Sequence, residues 1–319
     1  MITIKDVADR AGYAKSTVSR YINSSGYVAQ QTGVAIQKAI DDLDYHPNQI
    51  ARELSMGKTH RIGVVVSYAK HPYINQIMRG LLDYAMKAHY ELLFLPSQYQ
   101  LDRERQYLRQ LRGHDFDALI FTSHEISLHE IAQYRHYGQI ICLEDASAYG
   151  LSSVYVDRHP GYREMFRFLQ PRRLQKMAIL FYRDSPNSPT YQQTLSNVRH
   201  YLPGVHFQTF HGVANFGDAS KIMPQLVAGR FDCILATNDD VAAELVQKLS
   251  HLTTQMPLIV SQGAQLSGDL LRIPSICDQA YELGLKLGKV AGNKQTVKIS
   301  LPSHFEQAGH HHHLKGVSS

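Results

Sequence analysis

The sequence contains no apolar run long enough to span a bilayer. Its opening, Met1-Ile2-Thr3-Ile4-Lys5-Asp6, lacks the basic start and apolar segment of a secretory signal. A membrane role is not expected, and a cytoplasmic location is. Cysteine is scarce. Cys142, Cys233 and Cys277 are odd in number and scattered, with no C-x-x-C among them, so neither a disulfide framework nor a zinc or redox motif is expected. Each lies in an apolar stretch and reads as a small buried hydrophobe. Catalytic signatures are missing as well. There is no Gly-x-Gly-x-x-Gly after a strand, no P-loop and no Gly-x-Ser-x-Gly elbow, and the chain is not expected to be an enzyme. His124-Glu125 and His129-Glu130 offer metal-ligand residue types, but histidines five apart do not share a helix face as an i, i+4 pair does. No metal site and no cofactor are expected. The four histidines at 310–313 lie in a polar tail, where they bind metal without selectivity.

What the chain does have is apolar content, 44% over 319 residues, spread along most of its length. That is more than one small core needs, and it predicts a small domain plus a larger, two-lobed one. The formal net charge of +5 is compatible with a nucleic-acid partner but does not establish one.

The first sixty residues predict short helices. Thr3 and Asp6 form a capping box, Val7, Ala8 and Ala11 share one face, and Gly12 ends the helix in the left-handed conformation. A second helix over 15–23 has Val18, Tyr21 and Ile22 as its apolar side. Two short helices about a glycine turn are the helix-turn-helix pattern. Lys15, Ser16, Thr17 and Arg20, on the other face, carry donors and acceptors suited to base edges and phosphates. A third helix buries Ile36, Ala39, Ile40 and Leu43. Pro47 then stops it and Asn48 starts a short, marginal fourth.

From Arg61 the pattern changes. Apolar runs at 62–66, 92–95, 118–121, 140–143, 177–181, 233–236 and 258–260 alternate mostly with helix-length segments such as 73–89. That predicts parallel sheets covered on both faces, with a ligand outside the carboxyl ends of the strands or between two lobes.

Thr3-Ile4-Lys5-Asp6-Val7-Ala8, Gly12, Thr17-Val18-Ser19-Arg20, Ile22-Asn23 and Tyr45-x-Pro47-Asn48-x-x-Ala51-Arg52-x-Leu54 resemble the lactose-repressor (LacI/GalR) family. The resemblance implies an all-α helix-turn-helix domain (1–47), a hinge helix and linker (48–60), and a periplasmic-binding-protein-like (type I) two-lobed α/β core (61–309), ahead of a histidine-containing tail (310–319). The first lobe would comprise about 61–156 plus 274–292, the second about 158–273 plus 295–307. It implies a homodimer on near-palindromic double-stranded operator DNA. Lys15, Ser16 and Arg20 would read bases, Thr17 and Asn23 would hold phosphates, and Asn48, Ala51 and Leu54 would belong to the hinge helix, with Leu54 wedged into the minor groove. The core would take a small effector, a sugar or sugar derivative, and repression of carbohydrate-utilisation genes is the expected role. A phosphorylated or acidic effector, a partner-protein signal, or a non-regulatory sugar-binding protein are the other readings.

The resemblance places Tyr73, Thr122, Glu144, Phe216 and Asp278 as effector contacts, with Asp157 there or at the hinge. Asn238 and Asp239 suit both ligand contact and helix capping. The departures from the family are specific. Ala14 stands where a Ser or Thr caps the recognition helix, and Gly33 where a basic residue is usual. Arg158 replaces an Asn, Tyr191 replaces a sugar-holding Arg, and Gln265 replaces an Asp. Arg183 would either attract an acidic ligand or lie solvated in a loop.

Overall fold

Thr3 starts the first helix. Its hydroxyl accepts from the Asp6 N–H, and the Asp6 carboxylate accepts the Thr3 N–H at 2.7 Å, so two otherwise free donors are satisfied. The computed structural model describes residues 2–23, 25–46, 57–67, 72–183, 188–293 and 295–307. The chain divides into one unit up to Thr59 and a second from His60.

In the first unit, α1 (Ile4–Ala11), α2 (Lys15–Ile22) and α3 (Gln30–Asp42) close on Val7, Ala8, Val18, Ile36, Ala39 and Tyr45. Gly12 turns the chain between α1 and α2 at φ 76°, a left-handed conformation that costs glycine little. Ala14 leaves α2 without a side-chain cap. Gly33 is buried against the Tyr21 ring, where an added Cβ would lie 3.0 Å from Cε2. A basic side chain there would first have to displace Tyr21. The expected hinge helix over 48–56, with Asn48, Ala51 and Leu54, lies outside the described residues.

The second unit holds two six-stranded sheets. The first runs β11-β5-β4-β3-β1-β2 and the second β12-β10-β9-β8-β6-β7. In chain order the elements are β1 (Arg61–Val66), α4 (Pro72–Ala88), β2 (Glu91–Pro96), α5 (Leu101–Arg112), β3 (Ala118–Phe121), α6 (Leu128–Ala132), β4 (Gln139–Cys142), β5 (Ser152–Asp157), α7 (His159–Leu169), β6 (Lys176–Leu180), α8 (Pro189–Tyr201), β7 (His206–Phe210), α9 (Met223–Gly229), β8 (Cys233–Leu235), α10 (Asp239–Leu252), β9 (Leu258–Gln262), α11 (Leu266–Leu271), β10 (Ser275–Cys277), α12 (Ala280–Ala291), β11 (Lys298–Pro302) and β12 (His304–Glu306). All pairings are parallel except β10 with β12. Strand side chains alternate between two buried layers. Val64 and Ile120 enter one, Val65 and Phe121 the other, as strands covered on both faces require.

Two strands correct the expected lobe boundaries. Segment 274–292 does not belong wholly to the first lobe, because β10 extends the second sheet beside β9 while α12 returns to the first lobe. Segment 295–307 does not belong wholly to the second, because β11 pairs with β5 in the first sheet before β12 joins β10. These strands are too short for a hydrophobic pattern to choose a sheet. The choice is made by which open edge satisfies their backbone groups.

Among the described residues the chain therefore passes between lobes three times, at Asp157–Arg158, at Asp278–Gln279 and at Ser303, and the passages are tied together. Ser303 donates its N–H and its hydroxyl to the Asp157 carbonyl, both at 2.9 Å, and its oxygen accepts the Gly161 N–H at 3.1 Å. Gln279 donates Nε2 to the Pro302 carbonyl at 2.6 Å. On the first lobe, α12 packs on α4 through reciprocal glycines. A Cβ on Gly80 would strike the Tyr281 carbonyl, and one on Gly284 the Ile77 carbonyl.

Candidate functional site

In the first unit, Lys15 and Ser16 on the first turn of α2 and Arg20 near its end are exposed, while Val18 holds the opposite face in the core. Lys15 and Arg20 are the only charges of α2, and the acidic residues of the unit's helices sit on α1 and α3. Thr17 is partly buried. Asn23 closes α2, and its amide donates to the Ser19 hydroxyl at 3.2 Å. The stem of Arg20 lies against Gly26.

In the second unit, the carboxyl ends of the strands converge around the three passages. Arg158 is central. Its guanidinium lies 3.2 Å from the Asp278 carboxylate, donates to the Thr190 hydroxyl at 2.6 Å and sits 5.9 Å from the Tyr73 ring centre. It thus joins the first passage, the second passage, α8 and α4. Burial, with the negative charge of Asp278, pushes the Tyr73 phenol well above its usual range. One oxygen of Asp278 and both amide atoms of Gln265 are buried with no hydrogen-bond partner among the described residues. Such groups cost free energy unless a partner arrives.

The other sequence-derived candidates fall into two sets. Some occupy strand ends. Thr122 hydrogen-bonds the Val65 carbonyl at 2.9 Å, and Glu144 accepts from His124 Nε2 at 2.7 Å. Burial opposes protonation of His124, but the Glu144 hydrogen bond and charge and the Ile126 carbonyl outweigh it, and its pKa is raised. Tyr191 packs on Phe181 and His211, with ring centres at 4.5 and 5.9 Å. Phe216 is exposed on its loop. The rest make hydrogen bonds within the scaffold. Asn238 caps α10, accepting the Val241 N–H at 3.0 Å and donating to the Ala214 carbonyl at 2.7 Å. Asp239 is fully buried; it accepts the Ser275 hydroxyl at 2.8 Å and the Gln265 N–H at 2.5 Å. Burial raises its pKa despite these bonds. Asp157 accepts the His159 N–H at 3.0 Å.

Two features were not found by sequence reasoning. Ser67, Ser97, Ser123 and Tyr99 link hydroxyls over 2.8–3.3 Å at the ends of β1, β2 and β3. Serines at strand ends have no periodic signal. Arg183 is not a solvated loop arginine. It lies 4.0 Å from the Tyr99 ring centre and 3.8 Å from Glu125, so it reaches from the second lobe to the first. The histidine–glutamate pairs separate: His124 bonds Glu144, Glu125 faces Arg183, and Glu130 pairs with Arg105. Cys142 and Cys233 are buried, but Cys277 is only partly so, which corrects the expectation of three core cysteines.

A helix-turn-helix with a basic outer face, carried on the same chain as a two-lobed receptor built of parallel sheets, defines a ligand-responsive DNA-binding regulator. Residues 3–48 match the family described as bacterial regulatory proteins, lacI family, and residues 59–197 match that of periplasmic binding proteins and sugar binding domain of LacI family. The chain belongs to the LacI family of transcriptional regulators. It is 28% identical to catabolite control protein B of Bacillus subtilis (strain 168), over 96% of this chain and 99% of that one. It is also 28% identical to the ribose operon repressor of the same organism, over 91% and 90% of the two chains. In fold it resembles the lac repressor dimer bound to operator and the anti-inducer ONPF, with a TM-score of 0.76 at 16% identity over 96% of this chain and 98% of that one. No described helix is long and apolar enough to cross a membrane.

Proposed function

We propose that the protein is a homodimeric repressor of carbohydrate-utilisation genes, released from or held on its operator by a small polyhydroxylated effector between the lobes. The observation that carries the effector class is the set of buried polar atoms without partners among the described residues, one oxygen of Asp278 and both amide atoms of Gln265, together with the Arg158 guanidinium that pairs with the other Asp278 oxygen. A sugar offers hydroxyls that both donate and accept, and so suits a carboxylate, an amide and a guanidinium together. The names of the relatives, a ribose operon repressor among them, point the same way.

Lys15, Ser16 and Arg20 read base edges in the major groove, Thr17 and Asn23 set register on phosphates, and Asn48, Ala51 and Leu54 engage the operator centre. Tyr73, Tyr191, Gln265 and Asp278 line the effector site around Arg158, while Thr122, Glu144 and Phe216 stand at its edge. The cationic anchor has moved from the start of α8, where Tyr191 stands, to the first passage. An acidic effector held by Arg183 is less favoured, because Glu125 and Tyr99 already occupy that guanidinium.

The test is selection of duplexes from a random pool by the full chain, followed by anisotropy titrations across salt and a panel of sugars. The expected result is a near-palindromic preference, affinity falling steeply with salt as counterions are released, and a shift in affinity with one sugar class. Arg20→Ala should lose about 1–3 kcal/mol of discrimination at one position of each half-site. Binding without sequence preference would refute the operator reading. Retained preference with no response to any sugar would refute the effector reading.

A further inference from the structure

The antiparallel pair β10–β12 sits at the edge of the second sheet, where the second and third passages meet. Its register places Cys277 directly opposite His304 and Ser275 opposite Glu306. Strand alternation then puts Cys277, His304 and Glu306 on one face. Ile276 and Phe305, on the other, enter the buried layer, where Phe305 packs on Phe168 with ring centres 5.2 Å apart. The apolar face fixes the register, so the three polar side chains have no freedom to slip past one another.

One donor atom from each of the three, a thiol sulfur, an imidazole nitrogen and a carboxylate oxygen, lies within 4.8 Å of the other two. His304 Nε2 and Glu306 Oε1 are 2.9 Å apart. Zinc binds sulfur at about 2.3 Å and nitrogen or carboxylate oxygen at about 2.0–2.2 Å, so the donors of one tetrahedral ion are separated by roughly 3.3–3.7 Å. Small side-chain rotations bring these three atoms to that spacing. All three residues are half-buried, which shields the donors while leaving solvent access for a fourth ligand.

We propose that Cys277, His304 and Glu306 form a binding site for a single divalent transition-metal ion of zinc type, with water as its fourth ligand. Cys277 supplies a thiolate, His304 a ring nitrogen and Glu306 a carboxylate oxygen. Binding releases the proton of the Cys277 thiol and that of the ligating His304 nitrogen to solvent, while the Glu306 carboxylate ligates as the anion. This donor set favours zinc and cobalt over magnesium or calcium, which prefer all-oxygen ligation. Its position gives it a consequence. Cys277 directly precedes Asp278 and His304 directly follows Ser303, so the ion cross-links two of the three passages between the lobes beside the bond from Gln279 to Pro302.

The test is titration of the full-length protein with Co²⁺, read as the thiolate-to-cobalt charge-transfer band in the near ultraviolet and the visible bands of tetrahedral cobalt. His310–His313 are first replaced by alanine, so that the tail contributes no ligands. The expected result is one equivalent of cobalt with a thiolate band, displaced by Zn²⁺, and a melting temperature that rises with either ion. C277S should abolish the charge-transfer band while keeping the circular dichroism of the parent. H304Q and E306Q should each weaken cobalt binding at least tenfold, which also covers the case in which C277S does not fold. The proposal is overturned if no thiolate band forms, if the band survives in C277S, or if H304Q and E306Q bind cobalt as the parent does.

Discussion

The Arg158 guanidinium lies 3.2 Å from the Asp278 carboxylate, so the first and second passages between the lobes meet as opposite charges. Asp278 is almost fully buried and Arg158 about three-quarters so. Removing one partner strands the other in a medium that solvates it poorly. Asp278→Ala is expected to destabilise the second unit by about 3 kcal/mol. Urea unfolding would measure this, and a loss below about 0.5 kcal/mol, the range of an exposed pair, would show that the pair is solvated.

The contact of α12 with α4 should be equally sensitive to one methyl group. An alanine at Gly284 meets the Ile77 carbonyl, a backbone atom that moves only with its helix. Gly284→Ala is expected to cost about 1–3 kcal/mol by overpacking. Thermal unfolding would report it. An unchanged melting temperature would mean that the helices stand further apart than described.

His124 provides a pH test. Its folded-state pKa is raised, with the Glu144 hydrogen bond and charge overcoming the opposing effect of burial. The stability it contributes is therefore fully present below the unfolded value, near 6.5, and is lost as pH rises through the folded value. His124→Gln should destabilise the protein more at about pH 5.5 than at about pH 9. Melting curves across that range decide it, and the opposite trend would contradict the ion pair.

The uncapped start of α2 is a site for gain. Ala14 has extended backbone angles and no side-chain bond to the helix. Ala14→Ser should stabilise the first unit by about 1 kcal/mol by satisfying a free N–H. Hydrogen exchange of the α2 amides would show it as slower opening. No change would mean that those donors are already satisfied by solvent.

The fold was legible where its pattern was long. Val64-Val65-Val66 and Leu119-Ile120-Phe121 are continuous apolar runs because both faces of their strands are buried, and α1 announced itself through Thr3 and Asp6. β7, with the sequence His206-Phe207-Gln208-Thr209-Phe210, was missed because it is an edge strand with alternating exposure. The strands β10, β11 and β12 span only three to five residues. The site was legible in part. Resemblance drew attention to Arg158, Tyr191 and Gln265 as departures, but not to the pairing of Arg158 with a residue 120 positions away. Cys277, His304 and Glu306 were invisible for the same reason. Metal-ligand spacing is readable only when one helix or loop carries the donors, and here two strands bring them together.

The return of α12 and β11 to the first sheet has a consequence for how the protein is made. The first-lobe sheet lacks its last edge strand, and one of its faces has only α4 and not yet α12 to cover it, until the chain has been synthesised through Pro302. The DNA-reading unit, complete within the first sixty residues, has no such dependence. On a ribosome the reader is finished early, while the receptor that governs it waits for almost the entire chain. The order of translation thus separates the small helical unit, which can close early, from the two-lobed unit, which closes last.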